Sequence, residues 1–425
     1  MMKSFGLNSL SRRQFLRGAA SAAALATAGP SLAQSSGIDS ILSSPGRGSW
    51  DDQFDAKSSR AAVEVVSNIP VMSVETQSYV QQAMFRYRSI VDQGGWPYVP
   101  ANEKLELGVV DPTVGILRKR LMVSGDLAPD VGLSDAFDSY VQGAVRKFQA
   151  RHGLPADGVI GNHTFSAMNV SARVRLGQLQ RNMDRMAEMP EDLGQRFVMV
   201  NIPAASIEAV ESNNVALRHT AIVGKIDRQT PTLNSRIHEI ILNPYWTAPR
   251  SIIEKDIVPL MRKDPTYLTR NSIRLFDYRG NEVPPQTIDW HAAEAPDLMF
   301  RQDPGKINAM SSTKINFYNP HAVYMHDTPQ QSLFGKLLRF ESSGCVRVQN
   351  IRDLTTWLLR DEPGWSRQHI EAVIASGINT PIPIENAVPV YFIYATAWST
   401  ADGIVQFRDD IYRLDGAEEL AFNEF

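Results

Sequence analysis

The chain has 425 residues, 43% of them hydrophobic and 21% charged, an ordinary globular composition with length for two or three cored domains. Its formal net charge of −3 argues against a nucleic-acid binder, which is usually markedly basic. One cysteine, Cys345, excludes an internal disulfide.

Ser11-Arg12-Arg13-Gln14-Phe15-Leu16-Arg17 is a twin-arginine pattern, followed by a mild apolar run from Gly18 to Pro30. Ser31-Leu32-Ala33 puts small residues at the −3 and −1 positions before Gln34, so residues 1–33 are expected to be a removable signal peptide for twin-arginine export to the periplasm. The apolar run is too short to span a bilayer, and no later segment is long enough. Residues 34–58, rich in Ser, Gly and Asp, read as a flexible tether. In 59–99, a helical scaffold segment, Val80, Met84, Tyr87 and Val91 recur at helical spacing until Gly94-Gly95-Trp96-Pro97 stops the helix.

Residues 100–170 read as a small helical domain, clearest where Val141, Val145 and Phe148 share a face ahead of His152-Gly153. A turn-rich bridge through Asp157-Gly158 leads to a last helix near Asn162. Residues 171–194 hold a connecting helix, with Leu176, Leu179, Met183 and Met186 inward and Arg175, Arg181 and Arg185 elsewhere.

The period changes at Gln195. Short β-rich runs (197–202, 206–210, 216–223, 237–242) predict a mainly antiparallel sheet, with a hairpin turn at Asn213-Asn214. An interruption at about 250–304 opens on Ser251-Ile252-Ile253-Glu254, read as a capping box, with Ile257, Leu260 and Met261 inward, and continues irregularly as a lid. Strands resume at 314–318 and 322–326. Asn350 and Ser366 are positioned to cap two helices, and strands at 388–395 and 404–407 close the domain, 195–425. The fold class is therefore α+β: a mainly antiparallel β domain with an inserted helical and irregular lid, preceded by a small helical domain.

The chemistry centres on Ser342-Ser343-Gly344-Cys345-Val346-Arg347 and on His326, nineteen residues ahead of the cysteine. An unperturbed thiol is only a few per cent thiolate at neutral pH. A histidine within hydrogen-bond reach removes that limit, as general base or as the imidazolium of an ion pair. Asp327 follows His326 directly, so in an extended segment its carboxylate faces away, and a backbone carbonyl is the better orienting acceptor. Backbone N–H groups around Gly344 and Cys345 are candidates for an oxyanion, and Arg347, on the same strand face as Cys345, could hold a substrate carboxylate. His321, five residues before His326, reads as peripheral, and His152, His163, His219, His238, His291 and His369 lack metal-ligand spacing, so neither a metal nor another cofactor is expected.

Phe148-Gln149, Gly153-Leu154, Asp157-Gly158 and Ile160-Gly161 resemble the small three-helix peptidoglycan-binding module. His326-Asp327-Thr328-Pro329 followed by Ser342-Ser343-Gly344-Cys345-Val346-Arg347-Val348 resembles the active-site signature of bacterial L,D-transpeptidases. Val200-Asn201-Ile202-Pro203, Val223-Gly224-Lys225, Thr230-Pro231 and Asn243-Pro244-Tyr245-Trp246 resemble that family's larger periplasmic branch, where the interruption would be a capping subdomain. The resemblance implies a two-step acyl transfer. Cys345 attacks the carbonyl between the L-centre of diaminopimelate and the terminal D-alanine of a stem tetrapeptide, and a second stem's diaminopimelate amine resolves the thioester to a 3→3 cross-link. His326 would be the base, the Asp327 carbonyl its orienter, and Tyr324 and Arg347 would line the donor site. Ser343 stands on that side too, where many relatives carry a second histidine. Acylation by carbapenems is implied as well. L,D-carboxypeptidase action and attachment of an outer-membrane protein share the same thioester, and a wall-binding scaffold with a vestigial thiol is the alternative of another class.

Overall fold

The structure, a computed structural model, describes residues 68–100 and 104–421. The twin-arginine segment and the tether lie outside the described residues.

Helix α1 (Thr76–Asp92) buries Val80 and Tyr87 on the face that the apolar spacing predicted. Three helices then surround one core: α2 (Pro112–Ser124), α3 (Ser139–Arg151) and α4 (Asn162–Asn169), closed by Leu117, Leu121, Val141, Val145, Phe148, Ile160 and Met168. α2 starts on the Asp111 side chain, which accepts from the Thr113 N–H at 2.7 Å, with Pro112 in the first turn. The motif residues of this unit bond one another. The Gln149 amide donates to Asp157 Oδ1 (3.0 Å) and the Val159 carbonyl (2.7 Å) and accepts from the Gly158 N–H (2.8 Å), tying the turn to α3.

α5 (Ala172–Ala187) buries Leu179 and Met186, but it also buries Arg175, which the sequence placed off the packed face. Arg175 bonds Gln178 and the Ala167 carbonyl and stacks 4.6 Å from the Phe407 ring centre, which offsets part of the cost of burying its charge.

The strands are β1 (Arg196–Asn201), β2 (Ser206–Glu211), β3 (Asn214–Gly224), β4 (Leu233–Leu242), β5 (Trp246–Thr247), β6 (Ile273–Phe276), β7 (Glu282–Val283), β8 (Met299–Gln302), β9 (Thr313–Phe317), β10 (Met325–His326), β11 (Phe340–Ser342), β12 (Val346–Val348), β13 (Thr380–Ile393), β14 (Ala397–Ser399) and β15 (Val405–Phe407). Among the described residues, nine form one sheet ordered β11-β3-β12-β10-β9-β4-β13-β1-β2. β2 pairs with β3 as well as β1, so the sheet closes on itself and leaves β11 outside the ring. Most pairings are antiparallel; β1–β13, β10–β12 and β3–β11 are parallel. The β2–β3 turn is Ser212-Asn213, both at positive φ, one residue earlier than predicted. Inside the ring sit residues such as Val200, Ile240, Ile315, Met325, Val346 and Phe392, packed with Leu354 and Leu358 of α7 (Ile351–Leu358) and Ile370 of α8 (Arg367–Ser376). Phe197, Met199, Tyr391 and Ile393 face the other way and pack against α1 and α5.

The insertion is more ordered than expected. β5, β8, β6 and β7 form a second, four-stranded antiparallel sheet, and Ile253, Ile257, Val258, Leu268, Leu275 and Phe300 give it its own core. Its helix, α6 (250–263), begins after Pro249 without a side-chain cap, because Glu254 pairs with Arg250 at 2.5 Å; the capping box does not form. The turn Ile253–Ile257 is a π-turn, whose wider winding shifts the buried phase, so Val258 goes inward while Leu260 stays 38% exposed.

Candidate functional site

β10 and β12 run side by side in parallel, Met325 beside Val346 and His326 beside Arg347. Met325 and Val346 are fully buried in the ring, so strand alternation sends Tyr324, His326, Cys345 and Arg347 to the opposite face. On the other flank β9 brings Lys314 opposite His326.

His326 is buried, and its Nδ1 lies 2.6 Å from the Asp327 carbonyl oxygen. A carbonyl only accepts, so Nδ1 carries the hydrogen and Nε2 keeps its lone pair. The Asp327 carboxylate works elsewhere. It accepts from the Ser312 hydroxyl (2.6 Å), the Thr328 N–H (2.8 Å) and the Gln331 amide (3.2 Å), fixing the end of β10.

Cys345 is a half-buried free thiol. The backbone N–H and the phenol of Tyr324 face its sulfur and favour its charged form, and the Trp246 indole does the same for that phenol. No hydrogen bond joins the sulfur to the His326 ring, which differs from the reach assumed from sequence. The register is the reason: Cys345 precedes β12 at the level of Tyr324, which makes His326 its diagonal neighbour. Burial pushes the Cys345 thiol up from its ordinary value. Burial, helped by the Arg347 charge, pushes His326 down to about 4. At neutral pH these two groups are therefore a thiol and a neutral imidazole, which favours general-base chemistry over a resting ion pair.

Gly344 has φ +111°, a left-handed value that disfavours side chains. Its N–H, expected to face an oxyanion, donates instead to Ser342 Oγ at 3.2 Å, while that hydroxyl donates to the Cys345 carbonyl at 2.5 Å. The tight turn consumes the Gly344 donor. The Cys345 N–H engages no acceptor among the described residues and is the better candidate for an oxyanion. Arg347 is half-buried and donates to Gln330 Oε1 at 2.8 Å, with no carboxylate in ion-pair range among the described residues.

Sequence reasoning missed what holds this turn from behind. The Gly344 carbonyl accepts from Thr230 Oγ1 (2.9 Å), which accepts in turn from the Gly224 N–H (2.9 Å). The Tyr412 hydroxyl accepts from the Thr230 N–H (3.1 Å) and donates to the Gly224 carbonyl (2.7 Å). The Tyr412 N–H donates to the Tyr394 hydroxyl (2.8 Å), itself bonded to Asp410 (2.7 Å). Gly224 is required for space: a Cβ there would lie 2.2 Å from the Arg228 carbonyl oxygen. Thr230 and Gly224 stood in recognisable motifs; Tyr412 stood in none.

The inserted subdomain meets the site at two points. One is the Trp246 indole on Tyr324. The other is Arg228, whose Nη1 donates to both Ser343 Oγ (2.9 Å) and Asp256 Oδ2 (2.8 Å), while Nη2 donates to Asp256 Oδ1 (3.2 Å). Ser343 is exposed beside the nucleophile turn, and Asp256 lies in the π-turn of α6. Replacing Arg228 by alanine should lower acylation by a peptide donor about tenfold through misplacement of the lid, with alkylation of Cys345 by iodoacetamide nearly unchanged. An equal fall in both rates would instead mean that the nucleophile turn itself had collapsed.

Among the described residues no group of three or more His, Cys, Asp or Glu side chains is placed to hold a metal ion, and no helix is long and apolar enough to cross a membrane.

Residues 195–384 match the family of L,D-transpeptidase catalytic domains, and residues 110–168 match the family described as "Putative peptidoglycan binding domain". A Haemophilus influenzae protein described as "Putative L,D-transpeptidase" is 35% identical over 245 residues, 57% of this chain and 49% of its own length. The chain thus spans about half the length of this curated relative. Solved L,D-transpeptidases from Stackebrandtia nassauensis (12% identity, TM-score 0.26, 68% of this chain and 94% of that one) and Mycobacterium smegmatis (13%, 0.24, 47% and 58%) are similar too weakly to carry an argument.

Proposed function

We propose that this chain, which carries an L,D-transpeptidase catalytic domain behind a peptidoglycan-binding-type domain, forms 3→3 cross-links in peptidoglycan through a thioester on Cys345. The observation that carries the reading is the shared face of Cys345, Tyr324, His326 and Arg347, with His326 Nδ1 held on the Asp327 carbonyl and Nε2 left as acceptor.

The steps follow from those positions. Donor binding closes the diagonal between His326 and Cys345, and Nε2 takes the thiol proton as sulfur attacks the L-centre carbonyl of diaminopimelate. The oxyanion of the tetrahedral intermediate faces the Cys345 N–H. The imidazolium then returns its proton to the leaving D-alanine nitrogen, the C–N bond breaks, and a thioester remains. A diaminopimelate side-chain amine from a second stem attacks the thioester, loses its proton to the same imidazole, and expels the thiolate, which recovers a proton. Tyr324 anchors the sulfur, and Arg347 supplies a cation for a diaminopimelate carboxylate. Ser343, held by Arg228, lies at the edge of the donor side.

The work sits outside the cytoplasm, with residues 1–33 as the twin-arginine export signal and 34–58 as the tether. The described part of 59–99, from residue 68, and 171–194 brace the sheet, 100–170 contact the wall, and 250–304 cap the site within the catalytic domain, 195–425. Purified protein incubated with tetrapeptide muropeptides tests the proposal by product mass. Cross-linked dimers are expected. Tripeptides alone would replace cross-linking with L,D-carboxypeptidase action, and unchanged substrate without any carbapenem adduct would reduce the chain to a scaffold.

A further inference from the structure

The face around Cys345 carries an unbalanced positive charge. Arg347 lies on β12 and Lys314 on β9, one on each side of β10. The nearby acids are committed: Glu239 accepts from the Asn316 amide at 2.7 Å, and Glu341 pairs with Lys336 at 2.8 Å. Lys314 is half-buried and has neither a hydrogen bond nor a carboxylate in ion-pair range for its ammonium among the described residues. Its Nζ stands 4.4 Å from the centre of the Tyr324 ring, the same ring whose hydroxyl faces the Cys345 sulfur. A cation partly stripped of water and left without an anion is costly unless a ligand supplies one.

We propose that Lys314 binds the terminal carboxylate of the D-amino acid that leaves during acylation, making it a specificity-determining residue of the donor site. This rests on the acyl-transfer reading above. The leaving nitrogen must come to His326 to be protonated, and the terminal carboxylate carbon lies two bonds beyond that nitrogen. With Arg347 taking a diaminopimelate carboxylate on the β12 side, the leaving residue falls over β9, where Lys314 sits opposite His326. Burial also pushes the ammonium of Lys314 down from its ordinary value, consistent with a cation whose anion arrives with the substrate.

The test compares two donors on the full chain by single-turnover mass spectrometry: a stem tetrapeptide ending in D-alanine and the same peptide ending in D-alanine amide, which lacks the carboxylate charge. The wild type should prefer the acid by about tenfold or more. Lys314→Gln should lose that preference by slowing on the acid while keeping its rate on the amide, and Lys314→Arg should restore part of it. Alkylation by iodoacetamide in each variant separates an effect on donor capture from one on the thiol. If Lys314→Gln keeps the wild-type ratio, or the wild type shows no preference, Lys314 does not read the carboxylate. A wild type that never gains the donor's mass would overturn the thioester reading itself, and this inference with it.

Discussion

Cys345→Ser protein is expected to gain no mass from either a tetrapeptide donor or a carbapenem, with acylation slower by at least about a thousandfold. The nucleophile must be deprotonated as it attacks, and a serine hydroxyl is far more reluctant than a thiol to lose its proton at neutral pH. The site intensifies the contrast, since burial already raises the thiol and leaves little room for a harder nucleophile. Cys345→Ala should behave likewise while melting close to the wild type, because the side chain is half-buried and its loss removes no core packing. A covalent donor adduct on the alanine variant, mapped to another residue by peptide mass, would reject Cys345 as the nucleophile.

His326→Ala should slow donor acylation by roughly a hundredfold or more, the usual weight of a positioned general base. The pH dependence is the sharper measurement. A base acts when neutral, so activity is lost as pH falls through the value at which His326 takes a proton. Burial and the cations Arg347 and Lys314 hold that value at about 4 against the opposing influence of Asp327 and its carbonyl. The wild-type kcat/KM should therefore persist through pH 6.5, the ordinary histidine value, and fall only near pH 4. His326→Ala should lose this limb. A wild-type limb at the ordinary value would mean that the imidazole is solvated and charged during catalysis.

The elements were most legible where periodicity and punctuation agreed. Val80 and Tyr87 marked the inner face of α1, and Ser366 and Gly377 bounded α8 as cap and left-handed stop. The inserted subdomain was least legible because its strands are only two to four residues long, too short to establish a period of two. A π-turn added a phase shift to α6 that no helical count anticipates. Arg175 illustrates a different limit: a charge reads as surface until a tertiary ring, here Phe407, covers it.

At the site, Cys345, His326, Tyr324 and Arg347 could be placed on one face by alternation alone once two strands were assumed. Their pairing could not. The parallel register that sets Cys345 beside Tyr324, with His326 diagonal to it, is a long-range property of β10 and β12. The same holds for the Gly344 N–H, whose use by Ser342 depends on how the turn closes. Lys314 belongs with these, since nothing in its local sequence separates a solvated lysine from one lying across an aromatic ring beside a nucleophile.

The Tyr412 hydroxyl has a bearing on where the functional unit stops. The matched catalytic region ends at residue 384, yet the atoms that brace the reactive turn are reached only twenty-eight positions later. A polypeptide cut at that shared boundary would forfeit residues 385–393, most of β13, and strand the buried Thr230 N–H and Gly224 carbonyl, at a cost of about 1–3 kcal/mol for each group left unsatisfied. The shortest piece of this chain that keeps the Cys345 turn braced is thus longer than the matched region, and its closing residues work as part of that turn's scaffold.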